Sequence, residues 1–499
     1  MKQFTLFFAA LLCVSLAGGA AYASDDGDVT VKIETVTAGI SGDGYEEYRA
    51  MIINHSMTKS HRVTIEILSV TGLAGGEVRR SVEIAPSSTV AIPLIMPGAN
   101  AGSSARVLID GLRQDRPTPV DNSRTSAWVS RTYNRYFLLV SPGVGKSGLM
   151  NHGAVLAGFK NATGRQDEVA YLAYESPMPE WSANWVAYSS FDGVVITAEE
   201  LRDAPDAART ALWRFAECGG SLLIVSAGGA WEIPEQWRSR RVETVEVEDK
   251  EDEESASTGP RLGPVFARGA PGRSNAEEAA SKKHPVTLSK EIHSYNVGFG
   301  NVTVIDAAGA KSIPPEQWGA IKAGWRGSRP LQKTYTDIVD INKDFPVIER
   351  IGIPVRGLFV MMLMFVIVIG PINLLWLARR RAKIWMLWTV PAIALLTCLA
   401  VTGFALFRDG VRSVLRAETF TILDESSHRA STIGWTAFYA PLTPSEGLHF
   451  GYDTELAQIS PELWYYYRGG GARTIDLSND QHLDSGWITA RVPVYFRFR

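Results

Sequence analysis

Cysteine is almost missing from this chain: Cys13, Cys218 and Cys398 are the only three in 499 residues. Cys13 lies in an apolar leader and Cys398 inside a long apolar run, so Cys218 is the one thiol left to a soluble region. No disulfide between soluble parts of one chain is available, and the fold must hold by packing and hydrogen bonding. An excess of one charge is missing too. Fifty Lys and Arg stand against 53 Asp and Glu, a formal net charge of −3, which gives no electrostatic footprint for nucleic acid and argues against it as a partner. Histidine is scarce, with eight in all. His55 and His61 fall in one turn between two strands without a third ligand nearby, so they read as surface polar residues rather than a metal pair, and no cofactor is expected.

The chain does have two long apolar runs, residues 357–378 and 384–407. Each exceeds the roughly 20 residues that cross a bilayer's hydrocarbon core, so two transmembrane helices are predicted. The turn between them contains Arg379, Arg380, Arg381 and Lys383, as the positive-inside rule expects of a short cytoplasmic loop. Arg408, Arg412 and Arg416 beyond the second run oppose that rule and are outweighed by the shorter loop and by an export signal. That signal is the leader, residues 1–23: Lys2, the apolar stretch Phe4 to Leu16, and the cleavage site Ala21-Tyr22-Ala23. Everything before and after the hairpin is then expected on the exported face of a bacterial inner (plasma) membrane, with the lipid bilayer as a partner. The apolar interiors hold no ionisable residue, and two spans form no pore. Asn373 is accordingly expected to hydrogen-bond across the hairpin, Pro371 and Pro391 to kink it, and Gly370 to allow close approach. Trp376, Trp385 and Trp388 fit an aromatic belt.

The exported parts change period along the chain. From Asp28 to about Ile109, runs such as VTVKIETV, HRVTIEILSV and ARVLIDGL alternate apolar and polar residues between Gly, Pro, Asn or Ser turns. An immunoglobulin-like β-sandwich over residues 24–128 is predicted. Beyond it, YFLLV, FDGVVIT and SLLIVSAGG are short apolar strands, and AEELRDAPDAARTALWRFAEC between the last two is helical, with Leu201, Ala208, Leu212 and Phe215 on one face. That rhythm predicts a parallel α/β sheet over residues 129–350. The run VEVEDKEDEESASTGP opens a solvated, disordered acidic insertion at about 246–283, too irregular for a calcium loop. Tyr295 to Ala307 is expected to return to the sheet as a glycine-punctuated strand. Residues 411–499 read as a β-rich domain with an aromatic cluster, Trp464 to Tyr467, whose last strand stops without a turn; a fragment and a sheet completed by a partner both remain open.

The segment FDGVVITAEELRDAPDAARTALWRFAECGGSLLIVSAGG resembles the core of class I glutamine-amidotransferase-like, flavodoxin-like domains. GPINLLWLARRRAKIWMLWTVP, with Gly370-Pro371-x-Asn373, resembles poorly characterised bacterial membrane proteins that carry such an exported domain beside a two-helix hairpin. More distantly it is similar to auxiliary membrane proteins of gliding-type ABC transporters. The resemblance covers about Tyr136 to Val411. It implies an α/β flavodoxin-like domain and a membrane or envelope partner, a transporter among the candidates. The amidotransferase nucleophile does not carry over, because Cys218 precedes its strand instead of occupying an elbow, and Ser226 lacks the G-x-S-x-G frame, with Ile224 in the first glycine position. SPGVGKSG, Ser141 to Gly148, ends like a phosphate-binding loop, but Val140 stands where the first glycine is required. The candidate ligand cleft is therefore the set of strand ends: Ser141, Gly143, Gly145, Thr197, Ser226 and Gly228. The expectation is a non-catalytic scaffold or ligand-binding component of an envelope complex, the alternative an exported hydrolase or amidotransferase-like enzyme working in that cleft.

Overall fold

The computed structural model describes residues 24–25, 27–37, 44–69, 76–97, 101–121, 136–146, 169–173, 177–226, 234, 237, 240–248, 283–306, 313–328, 338–347, 355–380, 383–409, 413–425, 428–459 and 473–499. The leader, the stretch 249–282, the Trp464 to Tyr467 cluster and Gly228 lie outside them. The protein is β-rich, built on several sheets, and carries two apolar helices.

Strict alternation builds the N-terminal part. Strands β1 (Val29–Thr37), β2 (Tyr45–Asn54) and β5 (Thr89–Pro97) form one layer, while β3 (His61–Ser69), β4 (Gly76–Ile84) and β6 (Ala101–Ile109) form the other. Strand β7 (Thr118–Asp121) pairs with both β1 and β6 and so ties the layers. Val29, Val31 and Ile33, Val63, Ile65 and Ile67, and Ala105, Val107 and Ile109 all point into the shared core and are buried, the period-two pattern that sets register.

The second body is a sheet in the order β9-β8-β10-β11-β13-β12, with the short strand Arg241–Val242 at its end. Strands β8 (Tyr136–Val140), β9 (Val169–Ala173), β10 (Gly193–Thr197), β11 (Ser221–Ser226) and β13 (Gly300–Asp306) are mutually parallel. Both faces are covered, as parallel sheets require. Leu139, Val194, Ile196, Leu222 and Ile224 pack with Ala208, Leu212 and Phe215 of helix Asp206–Glu217. Leu138, Val140, Val195, Leu223 and Val225 pack with Trp318, Ile321 and Trp325 of helix Pro315–Ser328.

Three details differ from the sequence reading. The helical stretch is two helices, Ala198–Asp203 and Asp206–Glu217, because Pro205 forces Ala204 into an extended conformation. Tyr295 to Ala307 holds a hairpin: β12 (Ile292–Val297) turns at Gly298, φ +58°, and runs antiparallel to β13. The edges of the acidic stretch are strands, since Thr244–Glu248 pairs with Lys283–Thr287.

Two helices are long and apolar enough to cross a membrane, Phe359–Arg379 and Met386–Gly403. The first contains a π-helical turn at Val368–Ile372 around Pro371, the local adjustment by which a helix accommodates a missing N–H. The Asn373 amide donates to Thr389 Oγ1 at 3.0 Å, the cross-hairpin bond its depth called for.

The largest departure lies past these helices. Strands β14 (Val414–Asp424), β15 (Arg429–Tyr439), β20 (Val494–Phe498) and β17 (Leu456–Ile459) form a four-stranded sheet in that order. Strands β16 (Leu448–Phe450), β19 (Gln481–Ser485) and β18 (Arg473–Asp476) instead extend the N-terminal sandwich, with β18 parallel to β4. The tail completes its sheet with the first part of its own chain.

Side chains lock this seam. Arg79 Nε lies 2.8 Å from Asp476 and its Nη2 3.0 Å from Asp484, Leu477 N–H donates to the Arg79 carbonyl, and Ser81 N–H donates to Ser478 Oγ. At a second junction Tyr45 N–H donates to Ser189 Oγ, the Tyr45 hydroxyl accepts from Leu456 N–H and the Gln481 amide, and the buried Glu455 carboxylate pairs with Arg499 and Arg497. Arg499 also donates to the Cys218 carbonyl. First, middle and last parts of the chain thus share one junction.

Burial tends to raise the Asp476 carboxyl, but hydrogen bonds from Ser478 and Arg79 outweigh it and hold it below the usual carboxylate range. Its contribution to stability is therefore complete above the unfolded value of about 3.9 and is lost as the pH falls through the lower folded value. Arg79→Ala is expected to cost on the order of 1 kcal/mol, as befits a partly exposed network. In acid denaturation series followed by fluorescence, Asp476→Asn should flatten the loss of stability below about pH 4; an unchanged slope would remove Asp476 from the account.

Candidate functional site

In an open parallel sheet the usual crevice lies outside the carboxyl ends of the strands, where the strand order reverses. Here β9 lies on one side of β8 and β10 on the other, so the reversal falls between Ser141, just past β8, and Thr197, the last residue of β10. Ser141 N–H donates to the Val195 carbonyl at 2.9 Å, which fixes the two strand ends side by side.

A carboxylate fills the space between them. Glu200 Oε2 accepts from the Ser141 hydroxyl at 2.5 Å, the Thr197 hydroxyl at 2.9 Å and Thr197 N–H at 3.3 Å, while Oε1 accepts from Gly143 N–H at 2.6 Å. Glu200 N–H donates back to Thr197 Oγ1 at 3.2 Å, so Thr197 and Glu200 form the reciprocal capping box of helix Ala198–Asp203. Gly143 packs closely on this contact: a Cβ there would stand 2.6 Å from the Glu200 carboxyl carbon, so the carboxylate would have to shift.

Three of the six cleft residues are thereby brought together: Ser141, Gly143 and Thr197. Gly145 belongs to the short helix Pro142–Lys146. Ser226 is a buried strand residue: it closes β11 opposite Asp306 of β13, one position past Val225, the register partner of Thr197. Gly228 lies outside the described residues. Glu200 itself was missed among the cleft residues, although the T-x-x-E spacing of Thr197-Ala198-Glu199-Glu200 is the signal that places it.

The chemistry of this arrangement is that of a satisfied carboxylate. An acyl-transfer site needs a nucleophile beside a base with oxyanion donors left open; here the Ser141 and Thr197 hydroxyls are both engaged by Glu200, which also takes the Gly143 N–H. Cys218 is the C-cap of helix Asp206–Glu217, and burial pushes its thiol up to about 12, which keeps it protonated at neutral pH. His55 and His61 have separate partners, Thr30 Oγ1 at 2.9 Å and Asp110 at 2.8 Å. Among the described residues, no group of three or more His, Cys, Asp or Glu could hold a metal ion.

Removal of the Glu200 carboxylate leaves hydroxyl and N–H donors at the strand ends unsatisfied. Glu200→Ala is expected to lower stability by about 2 kcal/mol, and Gly143→Ala by about 1–3 kcal/mol through overpacking. Urea unfolding of the detergent-solubilised protein checks both; a change within error for Glu200→Ala would show that the carboxylate contributes no net stability there.

No family model matches this chain, and no curated protein matches it. A solved structure of a Paenibacillus sp. cycloisomaltooligosaccharide glucanotransferase complexed with cycloisomaltoheptaose is similar over 48% of this chain and 30% of that one, at 11% identity and a TM-score of 0.17. This chain spans less than a third of that enzyme, and a likeness so slight carries no argument about fold or chemistry.

Proposed function

We propose that this protein is a membrane-anchored, non-catalytic scaffold or ligand-binding component of a bacterial envelope complex, its sandwich and α/β body held on the exported face by the two-helix hairpin. The observation that carries the reading is the parallel pairing of β18 with β4. Residues 473–476 and 76–79 share one sheet although both apolar helices lie between them in sequence. Residues that share a sheet are on one side of any membrane, so an even number of crossings must separate them, and two helices that both span meet that condition. A hairpin whose turn contains Arg379 and Arg380 agrees with the positive-inside rule if that turn is cytoplasmic.

The α/β part is read as flavodoxin-like, in line with the resemblance of its core segment to amidotransferase-like domains. Its five parallel strands with helices on both faces support that reading, and the Glu200 carboxylate between the strand ends supports a domain used for contact rather than for hydrolysis. A membrane or envelope partner, with a transporter as one candidate, follows from the hairpin resemblance and from the large exported body on a small anchor.

Single cysteines test the topology. Leu112→Cys and Leu442→Cys, both at exposed positions, should react with a membrane-impermeant maleimide in intact spheroplasts, whereas Arg380→Cys should react only after lysis; labelling of Leu112→Cys and Leu442→Cys from opposite sides would end the hairpin reading. Native purification in mild detergent tests the scaffold role, with a stoichiometric envelope protein expected to co-purify. Purification alone, together with esterase or amidase turnover abolished by Ser141→Ala, would replace it with a hydrolase.

A further inference from the structure

Strand β14 begins at Val414, just past the end of the second apolar helix at Asp409. It is the terminal strand of its sheet and pairs with β15 through eleven consecutive positions, Val414↔Tyr439 to Asp424↔Arg429, without a bulge. Its outer edge has no strand partner among the described residues. Soluble proteins protect such edges with prolines, bulges, short length or charged side chains; of these the strand has only the charges of Arg416, Glu418 and Asp424. It also leaves large apolar side chains substantially exposed: Val414 is 44%, Leu415 61%, Leu423 65% and Phe420 65% exposed, the last with one side of its ring against Phe299.

We propose that this edge is an interface between two copies of the chain, paired β14 to β14 in antiparallel fashion about a two-fold axis at Ala417. The occupant follows from the order of side chains. On one face of the strand Val414, Arg416, Glu418 and Phe420 succeed one another at alternate positions. Reversed by a two-fold axis at Ala417, that row meets its complement: Val414 faces Phe420 of the second copy, and Arg416 faces Glu418 of the second copy, each pair occurring twice. Arg416 and Glu418 already lie 2.6 Å apart within one copy, with side chains 41% and 55% exposed, so the dimer sets four charges of alternating sign side by side. An axis at Thr419 would instead put Arg416 against Ile422 and Glu418 against Phe420, stranding charge on apolar groups. A two-fold contact must be self-complementary, and this heptapeptide is complementary to its own reverse.

Cross-strand pairs are individually weak, so the dimer rests in part on the membrane reading above: two copies anchored beside the same strand are confined at high effective concentration, which converts weak pairing into a populated contact.

Cross-linking in native membranes tests this. In full-length protein carrying Cys218→Ala and Cys398→Ala, Ala417→Cys places two thiols on directly opposed residues, whose Cα atoms in antiparallel pairs are about 4.5–5.5 Å apart and within disulfide reach. Mild copper–phenanthroline oxidation should give a covalent dimer at least tenfold faster than for Leu423→Cys, which lies beyond the paired stretch. Arg416→Glu should slow the Ala417→Cys cross-link, and the exchange Arg416→Glu with Glu418→Arg should restore it, an outcome that a folding defect would not produce. A monomer after oxidation in protein that resists limited proteolysis, equal rates at both positions, or a cross-link to a different protein would each overturn the proposal. Carbonate extraction of the same membranes reads anchoring separately, so a failed anchor and a failed dimer are distinguishable.

Discussion

The parallel pairing of Arg473–Asp476 with Gly76–Arg79 is the constraint on which the rest of the molecule depends. Arg79 and Asp476 are 397 positions apart, and closing so long a loop costs entropy that grows only with the logarithm of its length. That is why a sheet completed by a distant segment is affordable once the intervening chain is itself compact. Without β18, strand β4 would be an open edge of the sandwich and a template for aggregation. With it, the sandwich gains three strands, β16, β18 and β19, from the far part of the chain.

The rest of the packing builds on this closure. The Tyr45 hydroxyl can accept from Leu456 N–H and the Gln481 amide only because the tail has come back, and Glu455 can be buried only because Arg499 and Arg497 arrive with it. A buried carboxylate without its cation would be strongly destabilising. The hydrophobic cluster that starts at Val29 in the sandwich therefore runs without a break through Trp185 and Tyr188 to Phe215 of the α/β body and Phe496 of the tail. Sandwich, α/β body and tail thus share both this core and the polar junction around Tyr45 and Glu455.

How much of this was legible in the sequence depended on the range of the interaction. Period-two runs gave the sandwich strands, since Val63, Ile65 and Ile67 carry their burial in their spacing. The apolar runs gave the two helices, and the depth of Asn373 gave its bond to Thr389. The break at Pro205 is written in the chain, because the residue before a proline avoids the helical region. The fate of the tail was not written there, because LAQI, RTID and QHLDS are ordinary short strands and no local signal states whether their partner is a neighbour or a strand some 400 positions earlier. The strand-end cleft is half legible: the strand-loop rhythm marks Ser141, Gly143 and Thr197, while the residue that joins them, Glu200, is signalled only by the T-x-x-E spacing of a helix start.

That last point bears on what the cleft can be used for. A carboxylate offers about four lone-pair sites, and here one oxygen takes two hydroxyls and a backbone N–H while the other takes a second N–H. Any anion that entered from outside would have to displace Glu200 and satisfy the same donors, and it would gain little over the group already there, because a ligand is favoured only by the difference between its own interactions and those it replaces. Glu200 is moreover held by the capping box of its own helix, so its departure would unmake that helix start. A crevice closed in this way is a structural joint between β8 and β10.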